Sequence, residues 1–210
     1  MLPAKAAPEA QARSLAEEGE PRLAQARAGQ RAVFLVDAAH FVLAPFLGFL
    51  WSVPRSFRRA PAGRQRFNVL GALQAITPAL LTVTNDTDMT ATEVCALLRH
   101  LAALNRGVPL TIVLDNARYQ RCAQVGTLAA SLPIDLGFLP PSSPNLNLLE
   151  RLGKFVKKQG LSSPYYAAFA ACKTALVQGL AQTHTTHRAA VDSLLTLRFQ
   201  LFAKTPFFPA

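Results

Sequence analysis

Residues 31–37 read RAVFLVD, five consecutive apolar residues closed by an acid. An unbroken run of this length, rich in β-branched and aromatic side chains, suits a strand covered on both faces. Residues 110–116 read LTIVLDN and repeat the pattern, with Asp115 in the place that Asp37 holds in the first run. Each run therefore predicts a buried strand with a carboxylate at its C-terminal end.

The flanking sequence supplies the rest of a layered fold. FNVLGALQAI (67–76) and ALLTVT (79–84) read as two more strands joined around Thr77-Pro78. TATEVCALLRHLAAL has helical spacing from Thr90 to Asn105, and Thr90 with Glu93 forms a capping-box signal at its start. After LTIVLDN the pattern predicts a helix from about Arg118 to Ser131 and a short strand in IDLGFLP. PPSSPNLN, an extended proline-bound loop, then delivers a helix at NLLERLGKFVKK. Two further helices are expected, from Pro164 to about Thr183 and from His187 to about Ala203. The order of three strands, helix, strand, helix, strand, helix is that of an α/β fold, a ribonuclease-H-like mixed sheet flanked by helices. The expected division is a leader over 1–30, helical or partly disordered, a catalytic domain over 31–183, and a helical tail over 184–210.

The balance of 22 Lys+Arg against 12 Asp+Glu gives a net charge of +10, which favours a polyanionic partner. Cys95, Cys122 and Cys172 are odd in number, widely spaced and without a CxxC pairing, which argues against a disulfide framework or a zinc site. His184 and His187 form an H-x-x-H with no accompanying ligand cluster and read as structural or solvent-exposed. The most apolar stretch, Phe41–Val53, contains Pro45 and Gly48, is too short to span a bilayer, and reads as buried β structure. The N-terminus lacks the apolar core of a signal peptide. A cytoplasmic, nucleoid-associated protein with no membrane partner is the expectation.

Two acids at the ends of adjacent apolar strands, roughly 4.8 Å apart, repel one another and raise one another's pKa. A divalent cation removes that penalty, and a third acid from a helix completes a site whose oxygen-only ligands favour Mg²⁺ or Mn²⁺ over zinc. Two such ions could activate water or a 3′-hydroxyl and stabilise the leaving oxygen of a phosphodiester. Each acid also has a simpler reading. Asp37 or Asp115 could cap a turn or helix, and Glu150 could complete a capping box with Asn147 or pair with Lys154 at i+4.

FLVDAAHF, VLDNARYQ and LPPSSPNLNLLERL resemble the three catalytic motifs of DDE transposases in the mariner-like bacterial insertion-sequence superfamily. The 34 residues between Asp115 and Glu150, 116 to 149, match the spacing of that superfamily. The resemblance runs from about residue 30 to the C-terminus. It implies a ribonuclease-H-like fold, two divalent metal ions, and cleavage and strand transfer at the ends of a mobile element. Asp37, Asp115 and Glu150 would be the catalytic metal ligands, and DNA, both transposon ends and target, the partner. Two departures stand out: members commonly carry an aromatic where this chain has Ser142 and a Trp where it has Gly153. No N-terminal helix-turn-helix region is read, which leaves open a separately encoded helix-turn-helix partner, a homodimer, or a truncated, catalytically inactive DNA-binding remnant. A third reading, a basic protein at anionic membranes, rests on charge and the Phe41–Val53 stretch alone.

Candidate DNA contacts are Arg58, Arg59 and Arg64 in the turn-rich segment VPRSFRRAPAGRQR, and Lys154, Lys157 and Lys158 on the helix after Glu150. Their simpler reading is a solvated loop and helix face. Leu149, Leu152, Gly153 and Val156 fall at i, i+3, i+4 and i+7, so position 153 should face the core and glycine there should leave a gap.

Overall fold

Five strands carry the domain: β1 (Ala32–Val42), β2 (Arg66–Gln74), β3 (Leu80–Asn85), β4 (Leu110–Leu114) and β5 (Ile134–Phe138). In the computed structural model, which describes residues 7–42, 65–77, 79–104, 107–161, 166, 168–183, 185–199 and 201, they form one sheet in the order β3-β2-β1-β4-β5. β1 to β3 make an antiparallel meander, and β4 and β5 join β1 in parallel. This is the mixed ribonuclease-H-like sheet that the element order predicts.

Side chains alternate across each strand, so β1 feeds two separate cores. Val36 points to one face, where Leu70 and Ile112 meet Val94, Leu97, Leu98 and Leu101 of α3 (Ala91–Leu104) and Val125 of α4 (Ala123–Ser131). Leu35 and Phe41 point to the other, against Leu148, Leu149, Leu152 and Val156 of α5 (Leu148–Leu161), with Cys172 and Leu176 of α6 (Phe169–Gln182) behind them. Full burial of such a side chain contributes roughly 1.5–3 kcal/mol, which explains why residues 32–36 of β1 are all apolar and β4 is apolar but for Thr111.

The helical leader and α7 both pack on these layers. Pro8–Ser14 (α1), a π-helical turn at Leu15–Gly19 and Glu20–Arg27 (α2) form the leader, and Leu23 and Ala26 bury against Val33 and Ala75. Arg188–Leu194 (α7) places Val191 in the core beside α5. Cys95 and Cys172 are buried free thiols, and Cys122 is half-buried. Among the described residues no helix is long and apolar enough to cross a membrane.

The helix expected from Pro164 starts at Phe169, after an extended Ala168, and three other boundaries differ for a visible reason. β1 does not stop at Asp37 but continues to Val42, because β2 goes on pairing with it from Ala38↔Leu70 to Val42↔Arg66 after β4 has ended. α4 starts at Ala123, since the Ala117 carbonyl accepts from Gln120 N and Arg121 N at 3.0 and 3.3 Å and holds 117–121 in a turn. The last helix ends at Leu194, where the Arg151 guanidinium donates to the carbonyls of Leu194, Thr196 and Arg198 at 3.4, 3.1 and 3.1 Å. Of the Phe41–Val53 stretch, Phe41 and Val42 close β1 and residues 43–53 lie outside the described residues.

Candidate active site

The parallel ladder of β1 and β4 ends on the pair Leu35–Val113, and Asp37 and Asp115 each lie two residues beyond it, on one cavity. Asp37 shares the α5 face of β1 with Leu35 and stands opposite Gly71 of β2. Gly71 leaves room for Leu149: a Cβ at position 71 would meet the Leu149 side chain at 3.1 Å. The missing side chain lets the first turn of α5, with Glu150, settle next to Asp37.

Asn147 joins the two elements. It is buried, its Nδ2 donates to the Val36 carbonyl at 3.4 Å, and its Oδ1 accepts from Leu149 N at 3.1 Å as the cap of α5. One side chain thus grips the residue before Asp37 and the residue before Glu150. Asn116, next to Asp115, donates from Nδ2 to the Leu139 carbonyl and ties the end of β4 to the loop after β5. That loop returns through a 3₁₀ turn at Pro144–Leu146. It closes one side of a cavity of about 330 Å³ lined by Asp37, Asp115, Glu150, Asn116 and Asn147.

Burial, with smaller contributions from the charges of Glu150 and Asp115, pushes the Asp37 carboxyl up to about 7. The Ala38 N–H that donates to it at 2.8 Å and the ammonium of Lys157 act in the opposite direction. The nearby Tyr119 hydroxyl is pushed up to about 12, chiefly by burial, with Asp115 and Asp37 adding to the effect.

Some of the simpler readings of these acids are also realised. Asp115 Oδ1 accepts from Ala117 N at 3.1 Å and caps the turn that follows. Glu150 lies 3.8 Å from Lys154 Nζ. It does not complete a capping box in the bonds found here, because the Asn147 N–H is given to the Pro144 carbonyl at 3.1 Å. Consistent with these engagements, among the described residues no three His, Cys, Asp or Glu side chains are gathered tightly enough to hold one ion. The donor set itself, three carboxylates on one cavity with amide oxygens beside them, has the chemistry of a hard-cation site.

The sequence model of one family, described as DDE superfamily endonuclease, matches residues 23–171. The chain belongs to this family. Its fold is shared with the Mos1 strand transfer complex, at TM-score 0.54 and 12% identity over 97% of this chain and 65% of that one. A pre-cleavage Mos1 transpososome gives 0.55 and 13%, over 97% and 66%. A simian T-cell lymphotropic virus intasome matches at TM-score 0.49 and 17% identity, over 73% of this chain and 48% of that chain. The DDE domain thus spans about half to just under two thirds of these longer chains. No curated protein matches it. The family match bears out the resemblance to DDE enzymes, and with it an endonuclease or polynucleotidyl transferase fold, and the Mos1 likeness agrees with that fold.

The basic candidates divide. Lys157 lies with Nζ 5.4 Å from the centre of the Phe41 ring and acts on Asp37, Lys154 pairs with Glu150, and Lys158 is exposed. Arg58, Arg59, Arg64 and His184 lie outside the described residues. The gap expected at Gly153 is present: nothing comes within 4 Å of a Cβ built there, and a cavity of about 30 Å³ adjoins it, lined also by Asp37, Phe41, Leu149 and Leu152. Sequence reading named Asn147 only as a possible capping partner of Glu150 and missed Asn116, whose one local signal is its place next to Asp115.

Proposed function

We propose that this DDE domain is the catalytic part of a transposase, which binds Mg²⁺ or Mn²⁺ through Asp37, Asp115 and Glu150 and cuts and rejoins DNA strands at the ends of a mobile element. The observation that carries the reading is Asp37: a half-buried carboxyl raised to about 7, on one cavity with Asp115 and Glu150. Burying an acid beside two others is unfavourable unless a cation joins them. When bound, a pair of such ions supplies Lewis-acid stabilisation of the attacking and leaving oxygens of a phosphodiester.

The chain's own residues prepare that site. Asp37 gives up its proton to become a ligand. Glu150, now 3.8 Å from Lys154 Nζ, would be the third ligand, on a helix whose start is fixed by Asn147. Lys157, beside Asp37, and the overall charge of +10 draw in and hold the phosphate backbone. The DNA partner comprises transposon ends and target, which puts the protein at the nucleoid. A second copy and a separately encoded helix-turn-helix protein are the partners proposed to complete the assembly.

A second reading, a DNA-binding remnant without turnover, is favoured by the Glu150–Lys154 pair and by the cavity at Gly153 behind the catalytic helix. Nicking of supercoiled plasmid with Mg²⁺ or Mn²⁺ separates the two. Metal-dependent nicking that is lost in Asp115→Asn supports the enzyme, whereas DNA binding with equal background nicking in both proteins supports the remnant.

A further inference from the structure

Gln11 is 1% exposed on α1, in a leader otherwise dominated by exposed residues. Burying a primary amide is unfavourable unless both its ends find partners. Here both do, more than 130 residues away along the chain. Gln11 Nε2 donates to the Ser142 carbonyl at 3.3 Å, and Gln11 Oε1 accepts from Asn145 Nδ2 at 3.0 Å. A backbone carbonyl only accepts, so the orientation of the amide is fixed by its chemistry.

The two anchor points belong to the loop that lines the cavity of the three carboxylates. Ser142 holds a positive φ of 57°, a left-handed conformation uncommon for a residue with a side chain. The grip on its carbonyl secures that turn. Asn145 sits inside the 3₁₀ turn Pro144–Leu146, which runs directly into Asn147 and the first turn of α5. The position of Glu150 therefore follows from how this loop is held. The family match begins at residue 23, so Gln11 lies upstream of the matched residues.

We propose that Gln11 is a positioning residue of the carboxylate site: its amide clamps residues 142–145 and thereby sets Glu150, which makes the N-terminal helical segment part of the site. The inference rests on the metal-site reading above, and one arm of its test is independent of that reading.

Gln11→Met keeps the length and apolar volume of the side chain and removes both polar atoms. Two readouts apply to the metal-free and Mn²⁺-titrated full chain: hydrogen exchange of residues 142–150, and Mn²⁺ affinity by calorimetry. Gln25→Met is the control, an exposed leader glutamine whose carbonyl accepts from Arg31 Nε at 2.7 Å. The expected result is faster exchange of residues 142–150 and about tenfold weaker Mn²⁺ binding in Gln11→Met, the lower end of what losing a ligand's supporting contact usually costs. Gln25→Met should match the wild type in both. Adding Asn145→Ala to Gln11→Met should weaken binding by less than the two single effects combined, since both act through one contact. Unchanged exchange of residues 142–150 overturns the proposal, and so does a loss of affinity equal in the two glutamine variants. Should the wild type fail to bind Mn²⁺, the metal reading falls, and the exchange comparison still decides whether Gln11 clamps the loop.

Discussion

Replacing Asp37 with Asn should stabilise the metal-free protein above neutral pH and leave it nearly unchanged near pH 4. The Asp37 carboxyl stands at about 7 in the folded chain against an ordinary 3.8, so the native state holds a proton that the unfolded chain has already released. The stabilisation from that proton is complete below pH 3.8 and is lost progressively as pH rises to about 7. At about 1.4 kcal/mol per pH unit, the loss by pH 8 is on the order of 4 kcal/mol, and at roughly 2–4 °C per kcal/mol for a domain of this size the variant should melt about 10 °C higher there. Asn retains an oxygen for the Ala38 N–H and has no charge to lose. The assay is thermal unfolding of both proteins with chelator from pH 4 to pH 8, read as the difference in Tm at each pH so that other titrating groups cancel. A difference that does not change with pH, or a wild type that melts higher at pH 8, would refute the argument that burial among acids governs Asp37.

Gly153→Ala should raise Tm by about 2–4 °C, since Ala is favoured over Gly by roughly 1 kcal/mol in a helix interior and nothing lies within 4 Å of the added Cβ; a lower Tm would mean the neighbouring cavity closes in solution. Asn147→Ala should cost about 2 kcal/mol in chemical denaturation, through the lost cap and the bond to the Val36 carbonyl, and should also weaken Mn²⁺ binding; a variant as stable as the wild type would remove Asn147 as the link between β1 and α5. Binding to duplex DNA should fall steeply with salt in mobility-shift titrations, as expected of phosphate contacts from a basic surface; a tight, salt-insensitive preference for one sequence would point to base readout that this account lacks.

The sheet was legible because β1 opens with an unbroken apolar run and β4 is apolar but for Thr111, and because the Thr90–Glu93 box marks the start of α3, where Thr90 N and Oγ1 donate to Glu93 at 2.8 and 2.7 Å. What escaped the sequence was set by distant partners. β1 outruns Asp37 because β2 goes on pairing with it, and α7 stops at Leu194 where Arg151, forty-odd residues earlier, collects the carbonyls of the following segment. The same division holds in the site. Asp37 and Asp115 stood out as acids closing apolar runs, and all three acids as motif positions, whereas Asn147's hold on Val36 and Gln11's hold on Ser142 are long-range bonds without a local pattern. A glutamine in an Ala- and Glu-rich leader has no sequence feature that separates it from its exposed neighbours.

The central claim, that Asp37, Asp115 and Glu150 form one divalent-metal site, is tested most directly by calorimetric titration of Mn²⁺ into the full chain and into Asp115→Asn and Glu150→Gln at pH 8. The account predicts saturable binding to the wild type that is lost or at least about tenfold weaker in each variant. Equal Mn²⁺ affinity in all three proteins would contradict it.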